Sequence, residues 1–455
     1  MINLLQNMKT NLQKLNSDAN IILQAALKAV DPYILVKQSL NLDDSILIID
    51  TPYARKTFDL TKFRHVFVLG GGKAAAAMAR ATEEILGARL SKGIINVKYG
   101  YTEKLKNVKI IEAGHPIPDD AGVEGTKEII TLIEGSKEND LVLLLISGGG
   151  SALLPAPANG IKLSEKQELT QLLLDCGADI GEINAIRKHI SQIKGGRLAE
   201  LAYPSTTINL ALSDVVGDKM DTISSGPTTL DSSTFKDAWH ILEKYALLDK
   251  VSTSIREHLR KGVKGEIGET PKSGDKIFDK VHNFIIGNNM TALKAAQAKA
   301  KALGYNTLML SSRIEGEARE VAKVYAAIAQ EILSTGNPIP PPACIISGGE
   351  TTVTIKGAGK GGRNQELALA AAIDIDDLDN VVIASIGSDG TDGPTDAAGG
   401  IVNGDTINNA IDIGLNPSQY LNNNDSYNFL KQVDALIFTG PTNTNVMDIQ
   451  LILVN

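Results

Sequence analysis

Aromatic side chains are scarce in this chain, 4% of 455 residues with a single tryptophan. Cores built without them must be aliphatic, which suits layered α/β domains better than an aromatic all-β module. Cysteine is scarcer still, with Cys176 and Cys344 alone. Two such residues make neither a disulfide framework nor a metal-spacing motif, and they fit free thiols in a reducing cytoplasm. Positive charge is not in excess: Lys and Arg number 45 against 53 Asp and Glu, a formal charge of −8. A broad basic face for nucleic acid is therefore not expected, whereas a local basic pocket is compatible with this balance. No apolar run reaches the roughly 18 residues of a membrane span. The amphipathic start lacks the apolar core of a signal peptide, so neither is expected. Apolar residues at 43% and charged residues at 22% argue against wholesale disorder. The length fits two or three domains of about 150 residues, and composition leaves monomer and homodimer both open.

What the chain does have is glycine, 42 residues of it, much of it at strand-to-helix turns. Residues 4–40 read as helices, with apolar residues at Leu4, Leu5, Met8 and Leu12 and then at Ile21, Leu23, Ala26, Leu27 and Val30. Short apolar runs at 46–50, 65–69, 93–99, 108–113, 141–146 and 206–213 read as strands separated by helical spacing. The run 141–146 is apolar throughout, as expected of a central parallel strand buried on both faces. A stretch rich in glycine, proline and charge at 262–280 is the expected linker. The pattern then restarts with a strand near 283–288 and alternates to the C-terminus. These features predict an α/β fold in two domains: residues 1–262 as a Rossmann-like parallel sheet covered by helices, and 281–455 as a smaller α/β domain. A terminal helix that crosses over would shift these edges. Ile146–Gly150 and Ile346–Glu350 echo each other in sequence, which recurring strand-end turn chemistry explains.

Several turns could carry chemistry. Gly70, Gly72 and Ala75 fit a loose dinucleotide pattern, but Asn96 and Lys98 stand where the ribose-binding acid belongs. The phosphate-loop pattern fails too, since Ala74 follows Lys73. An anion site remains: Gly71 and Gly72 permit close approach, helix-start amides face an anion and Lys73 adds charge. The loop of Ser147, Gly148, Gly149, Gly150 and Ser151 follows the most hydrophobic strand and could cradle phosphate. Arg187, Lys188 and His189 precede Lys194 and Arg197, either as a clamp for a carboxylate or phosphate or as a solvated helix surface. Asp214 and Asp218 could hold Mg²⁺ or cap turns. In the second domain, the glycine-rich cationic run 357–363 opens a helix at Arg363 and Asn364 and suits a phosphorylated ligand. Asp389, Asp392 and Asp396 crowd one turn, which invites a cation or amides in reply.

The motifs in order are Gly70–Ala74, Gly114–Asp119, Ser147–Leu153, Lys194–Leu198, Ser213–Asp218, Ser224–Thr228, Ser347–Thr351, Gly361–Glu366 and Gly387–Gly393. Together they resemble the class II glycerate 2-kinases, whose C-terminal part is named from multi-organism fragments rich in leucine, over about residues 4–435. The resemblance implies two α/β domains with a cleft between them. It implies ATP-dependent phosphorylation of D-glycerate at the 2-hydroxyl, with Mg²⁺ or a similar divalent cation. The family's catalytic lysine then falls on Lys73 and its arginine on Arg363, expected to approach the transferring phosphoryl group from opposite walls. Gly71, Gly72, Ser147–Ser151, Arg187, Lys194, Arg197, Glu350 and Asn364 are the expected substrate- or phosphate-binding set, and Asp214 and Asp389 the expected metal ligands. Small molecules, D-glycerate and ATP, are the expected partners, with no nucleic acid and no membrane. A hydroxypyruvate reductase and a non-enzymatic binding protein are the alternatives; a nicotinamide requirement would mark the first, binding without ATP consumption the second.

Overall fold

Alternating apolar runs and amphipathic stretches fold the chain into two compact units, one of Pro32–Ile286 and one joining the chain up to Asp31 with Gly287–Asn455. A computed structural model describes the backbone of residues 2–455 and the side chains from residue 11 onward. The apolar spacing expected at Leu4, Leu5 and Met8 lies outside the described side chains.

In the unit Pro32–Ile286, six strands lie in the spatial order Val108–Ala113, Lys92–Lys98, His65–Gly71, Asp140–Ile146, Thr206–Leu212 and Val281–Gly287. The first four neighbouring pairs are parallel. Numbered along the chain, this order is third, second, first, fourth, fifth, sixth, so it reverses between His65–Gly71 and Asp140–Ile146. In open α/β sheets ligands gather beyond the strand ends at such a reversal. Every residue of Asp140–Ile146 is buried, which explains its unbroken apolar run: helices cover both faces. Four helices, Leu163–Asp175, Ile180–His189, Phe235–Lys244 and Thr253–Val263, share a second core around Leu169, Leu173, Ile186, Phe235, Leu242 and Leu259. Each such side chain contributes roughly 1.5–3 kcal/mol by leaving water. A small antiparallel sheet of Leu40–Asp43, Ile46–Asp50 and Arg55–Asp59 completes the unit.

The other unit holds a mixed sheet in the order Asn306–Glu317, Ala343–Thr352, Asp448–Val454, Val381–Gly387, Gly399–Asn403 and Leu436–Ile437. Only the first pair is parallel. The fully buried strand Asp448–Val454 lies between Ala343–Thr352 and Val381–Gly387.

Three expectations about edges change. The strand Val281–Gly287 closes the first sheet instead of opening the second. The stretch 262–280 is not a loose linker: Thr270 is buried and donates to Asp231 Oδ2 at 2.9 Å, and Asp231 N donates to Pro271 O at 3.0 Å. The first helix, Ile2–Ala29, packs on the helix Asn289–Ala302. Tyr305 Oη donates to Asp18 Oδ2 at 2.7 Å, and Thr444 Oγ1 to Val30 O at 2.8 Å, which ties this helix to the C-terminal half. The divisions therefore fall at 31/32 and 286/287 rather than between 262 and 281. Among the described residues no single helix is long and apolar enough to cross a membrane.

Candidate active site

The sheet reversal sets two glycine loops side by side. Strands His65–Gly71 and Asp140–Ile146 pair in register up to Gly71 and Ile146, so Gly72–Ala74 and Ser147–Ser151 leave the sheet together. They interlock closely. Lys73 N donates to Gly148 O at 2.9 Å, Ser147 N to Gly71 O at 3.3 Å, and Ala74 N to Ser147 Oγ at 3.0 Å. Gly72 has φ +141°, and a Cβ there would lie 2.1 Å from Ser147 Oγ. Only glycine meets both demands. Gly71, Gly72 and Ser147 thus build the loops against each other. The amides of Lys73, Ala74 and Ala75 are all engaged within the protein, which corrects the expectation that they face an anion. The Lys73 side chain on this turn is half-buried.

Gly149, at φ +82°, begins the short helix Gly150–Leu153, and the His115 imidazole lies against it. Ser151 Oγ and Ser225 Oγ are 3.0 Å apart, and Ser225 Oγ donates to Asn184 Oδ1 at 3.1 Å. Asn184 stands one helical turn before Arg187 on the same face, so the glycine loop is wired to the helix that carries the cations. The turn after that helix zips onto Ser224–Gly226: Gly195 N donates to Ser225 O at 3.0 Å and Gly196 N to Gly226 O at 2.8 Å. Lys194 Nζ donates to Ser224 O at 3.2 Å.

The basic run at 187–197 divides in two. Lys188 Nζ meets the fully buried Asp231 at 3.2 Å, His189 is bonded to Ala185 O and Glu269, and Arg197 donates to Gly268 O at 2.9 Å beside Glu200. These are internal struts, so Arg197 stands apart from the phosphate role expected of it. Lys194 is buried, and Arg187 is half-buried. Burial, with the nearby charges of Lys166 and Arg187, holds the Lys194 ammonium well below its ordinary pKa.

In the other unit, Asp448 lies opposite Gly349 on one side and Gly387 on the other. Arg363 grips it with both arms, Nε to Oδ2 at 2.7 Å and Nη2 to Oδ1 at 2.9 Å, and reaches Glu350 through Nη1 at 2.8 Å. Burial disfavours the guanidinium's charge, but Asp448 and Glu350 outweigh it and hold its pKa above the ordinary value. Burial likewise pushes the Asp448 and Glu350 carboxyls up, with Arg363 opposing. Asn364 is turned inward: Nδ2 donates to Asp392 Oδ1 at 3.2 Å and Asp448 Oδ1 at 3.0 Å, and Oδ1 accepts from Ser385 Oγ at 2.6 Å. It positions carboxylates instead of meeting a ligand.

The helix Arg363–Asp374 begins with Gly362, which has no side chain to cap it. Asp392 caps it from another loop, accepting from Asn364 N at 3.2 Å and Gln365 N at 2.9 Å. The amides expected to receive phosphate at this helix start are thus already occupied. The preceding glycine run is also held, with Lys356 N and Gly357 N donating to Asn424 Oδ1 and Ala358 N to Asn423 Oδ1.

A divalent ion was expected at Asp214 or Asp389. Among the described residues no three His, Cys, Asp or Glu side chains group to hold a metal. Both oxygens of Asp392 and of Asp448 are taken by the partners above, and Asp389 Oδ1 accepts from Thr391 N and Oγ1, each at 3.1 Å. This donor set fits a divalent ion carried on substrate phosphates with one or two carboxylates added, as Mg²⁺ is commonly bound, and not a protein-only cage. A groove of about 1270 Å³ along Pro118–Val123 and Ala156–Ser164 shares neither glycine loop nor cation with these features.

Residues 18–260 match the family described as Domain of unknown function (DUF4147), and residues 343–448 match the MOFRL family. The chain is 45% identical over 430 residues to the Glycerate 2-kinase of Pyrococcus horikoshii, covering 94% of this chain and 95% of that protein. It is 44% identical over 401 residues to the D-glycerate 2-kinase of Thermotoga maritima, covering 88% and 93%. The crystal structure of the Thermotoga maritima glycerate kinase superposes with a TM-score of 0.86 at 42% identity, covering 97% of this chain and 100% of that one.

Proposed function

The chain belongs to the glycerate 2-kinase family that joins DUF4147 and MOFRL domains, and we propose that it transfers the γ-phosphoryl group of ATP to the 2-hydroxyl of D-glycerate, giving 2-phospho-D-glycerate and ADP. The observation that carries this reading is the pair of interlocked glycine loops at the sheet reversal, with Lys73 on one and the half-buried Arg187 and buried Lys194 wired to the other. Both substrates are anions, and a site for them needs positive charge in a fixed frame.

Phosphoryl transfer asks little covalent chemistry of a protein; rate comes from positioning and from offsetting charge. In this reading the Lys73 ammonium neutralises charge on the transferring phosphoryl group. Interlocking of the loops fixes where that ammonium starts. Arg363 serves the phosphates with a guanidinium held by Asp448 and Glu350, so its orientation is set before a ligand arrives. Asp389 or Asp214 would help hold Mg²⁺ carried on the nucleotide, where the ion would offset phosphate charge as a Lewis acid.

A reductase would need a nicotinamide site. Asn96, where the ribose-binding acid would stand, is fully buried and donates to Gly122 O at 3.0 Å and Leu153 O at 2.8 Å, so that position braces the fold. The test is ADP release by the purified chain with ATP, Mg²⁺ and D-glycerate. Release that depends on D-glycerate supports the kinase. Glycerate binding without ADP would mark a binding protein, and NADH oxidation with hydroxypyruvate a reductase; either overturns it.

A further inference from the structure

The helix Leu163–Asp175 turns Lys166, Leu169 and Leu173 into the protein. Lys166 is 6% exposed, and its Nζ has no hydrogen-bond partner. An unpaired ammonium inside a protein is strongly unfavourable unless something anionic arrives to meet it. Two more cations share its surroundings, Arg187 and Lys194, which repel it and each other. Burial and Arg187 push the Lys166 ammonium down to about 8. Among the described residues no carboxylate eases any of the three. Neighbours in the same sequence run are treated differently: Lys188 has Asp231 and Arg197 has Glu200. The described residues thus supply counter-ions beside this trio and none within it.

A second buried group is also left without a partner. Ser224 Oγ has none, although Lys194 Nζ bonds the carbonyl of the same residue at 3.2 Å. The hydroxyl faces the glycine loop, where a Cβ on Gly150 would come within 2.2 Å of it. The Ser224 hydroxyl thus stands beside Gly150, with the Lys194 ammonium on the carbonyl of the same residue and the charges of Lys166 and Arg187 acting on that ammonium. Lys166, Lys194 and Ser224 Oγ are enclosed, and only Arg187 is part-exposed. That enclosure suits a one-carbon oxyanion head and not a metal-bearing triphosphate.

Resting on the kinase reading above, we propose that Lys166, Arg187 and Lys194 form the subsite that receives the carboxylate of the small hydroxy-acid substrate, with Ser224 Oγ donating to the same group. Lys166→Met keeps the stem and removes the charge. The full-length variant is expected to raise KM for D-glycerate about tenfold or more, the worth of a charge-assisted hydrogen bond. KM for ATP should stay within about twofold. The melting temperature of the free variant should hold or rise, because an unpaired buried charge is gone, while the further rise given by D-glycerate to the wild type is lost. Ser224→Ala, measured by calorimetric titration with D-glycerate, gives a second reading should Lys166→Met not fold. Weakened glycerate binding with ATP binding intact supports the subsite. A changed KM for ATP would reassign the trio to phosphate, and unchanged glycerate binding would make Lys166 structural; either overturns the proposal. The titration needs no turnover, so the subsite is decided even if the wild type releases no ADP.

Discussion

Lys73 is the residue on which turnover should depend most. It follows a turn whose own amides are committed within the protein, so its side chain carries the charge that the turn can offer. Lys73→Ala is expected to lower kcat by about a hundredfold or more, the scale of losing one electrostatic stabiliser of a transition state, with the circular dichroism spectrum unchanged. Near-normal turnover would remove it from the mechanism. Asp392 gives a pH signature. Burial pushes its carboxyl up to about 6, against the hydrogen bonds of Asn364 and Gln365. The folded state then binds this proton more tightly than the unfolded chain, whose aspartate titrates near 4. The contribution is complete below about pH 4 and is lost as pH rises through about 6. Urea unfolding from pH 4 to 7 should show this fall, of order 1–3 kcal/mol, and Asp392→Asn should flatten it. An unchanged slope in the variant would place the titration elsewhere.

At the scale of elements, the tightest constraint lies where the two glycine loops meet. Gly72→Ala places a methyl 2.1 Å from Ser147 Oγ at a φ that alanine rarely adopts, so the loops must part. A loss of about 2–4 kcal/mol in urea unfolding is expected, with kcat falling as Lys73 is displaced. A stable, active variant would show that the interlock is dispensable. Much of this layer was legible in the sequence. The unbroken run 141–146 is a central parallel strand, and Gly70–Gly72 ends a neighbour of it. What stayed hidden depends on partners distant in the chain. Nothing near Gly362 reveals that Asp392 caps the helix at Arg363, or that Asn423 and Asn424 hold the preceding loop. The strand Val281–Gly287 reads as a fresh start because its pairing with the first sheet is nonlocal. Two signals were available: Lys166 shares a helical stripe with Leu169 and Leu173, and Asp448 opens a strand run that is apolar but for Gln450.

Across the whole molecule, one duty recurs in each unit: a cation is placed at strand ends in a frame that does not rely on the ligand. In Pro32–Ile286 the frame is two glycine loops and a serine–asparagine chain; in the other unit it is Asp448 between two strands, gripping Arg363. Of the motifs that made the family recognisable, Gly70–Ala74, Ser147–Leu153 and Ser224–Thr228 meet in the first frame, and Ser347–Thr351 and Gly361–Glu366 in the second. Arg197, on Gly268 O, and Asn364, on Asp392 and Asp448, are braces, which a list of charged and polar residues could not distinguish from ligand-facing groups.

Where the phosphoryl group goes is the most direct test of the proposed activity. Phosphorus NMR of the product from D-glycerate, ATP and Mg²⁺ should show one new phosphate monoester, 2-phosphoglycerate, equimolar with ADP. A signal from 3-phosphoglycerate, or none beyond slow ATP hydrolysis, would contradict it.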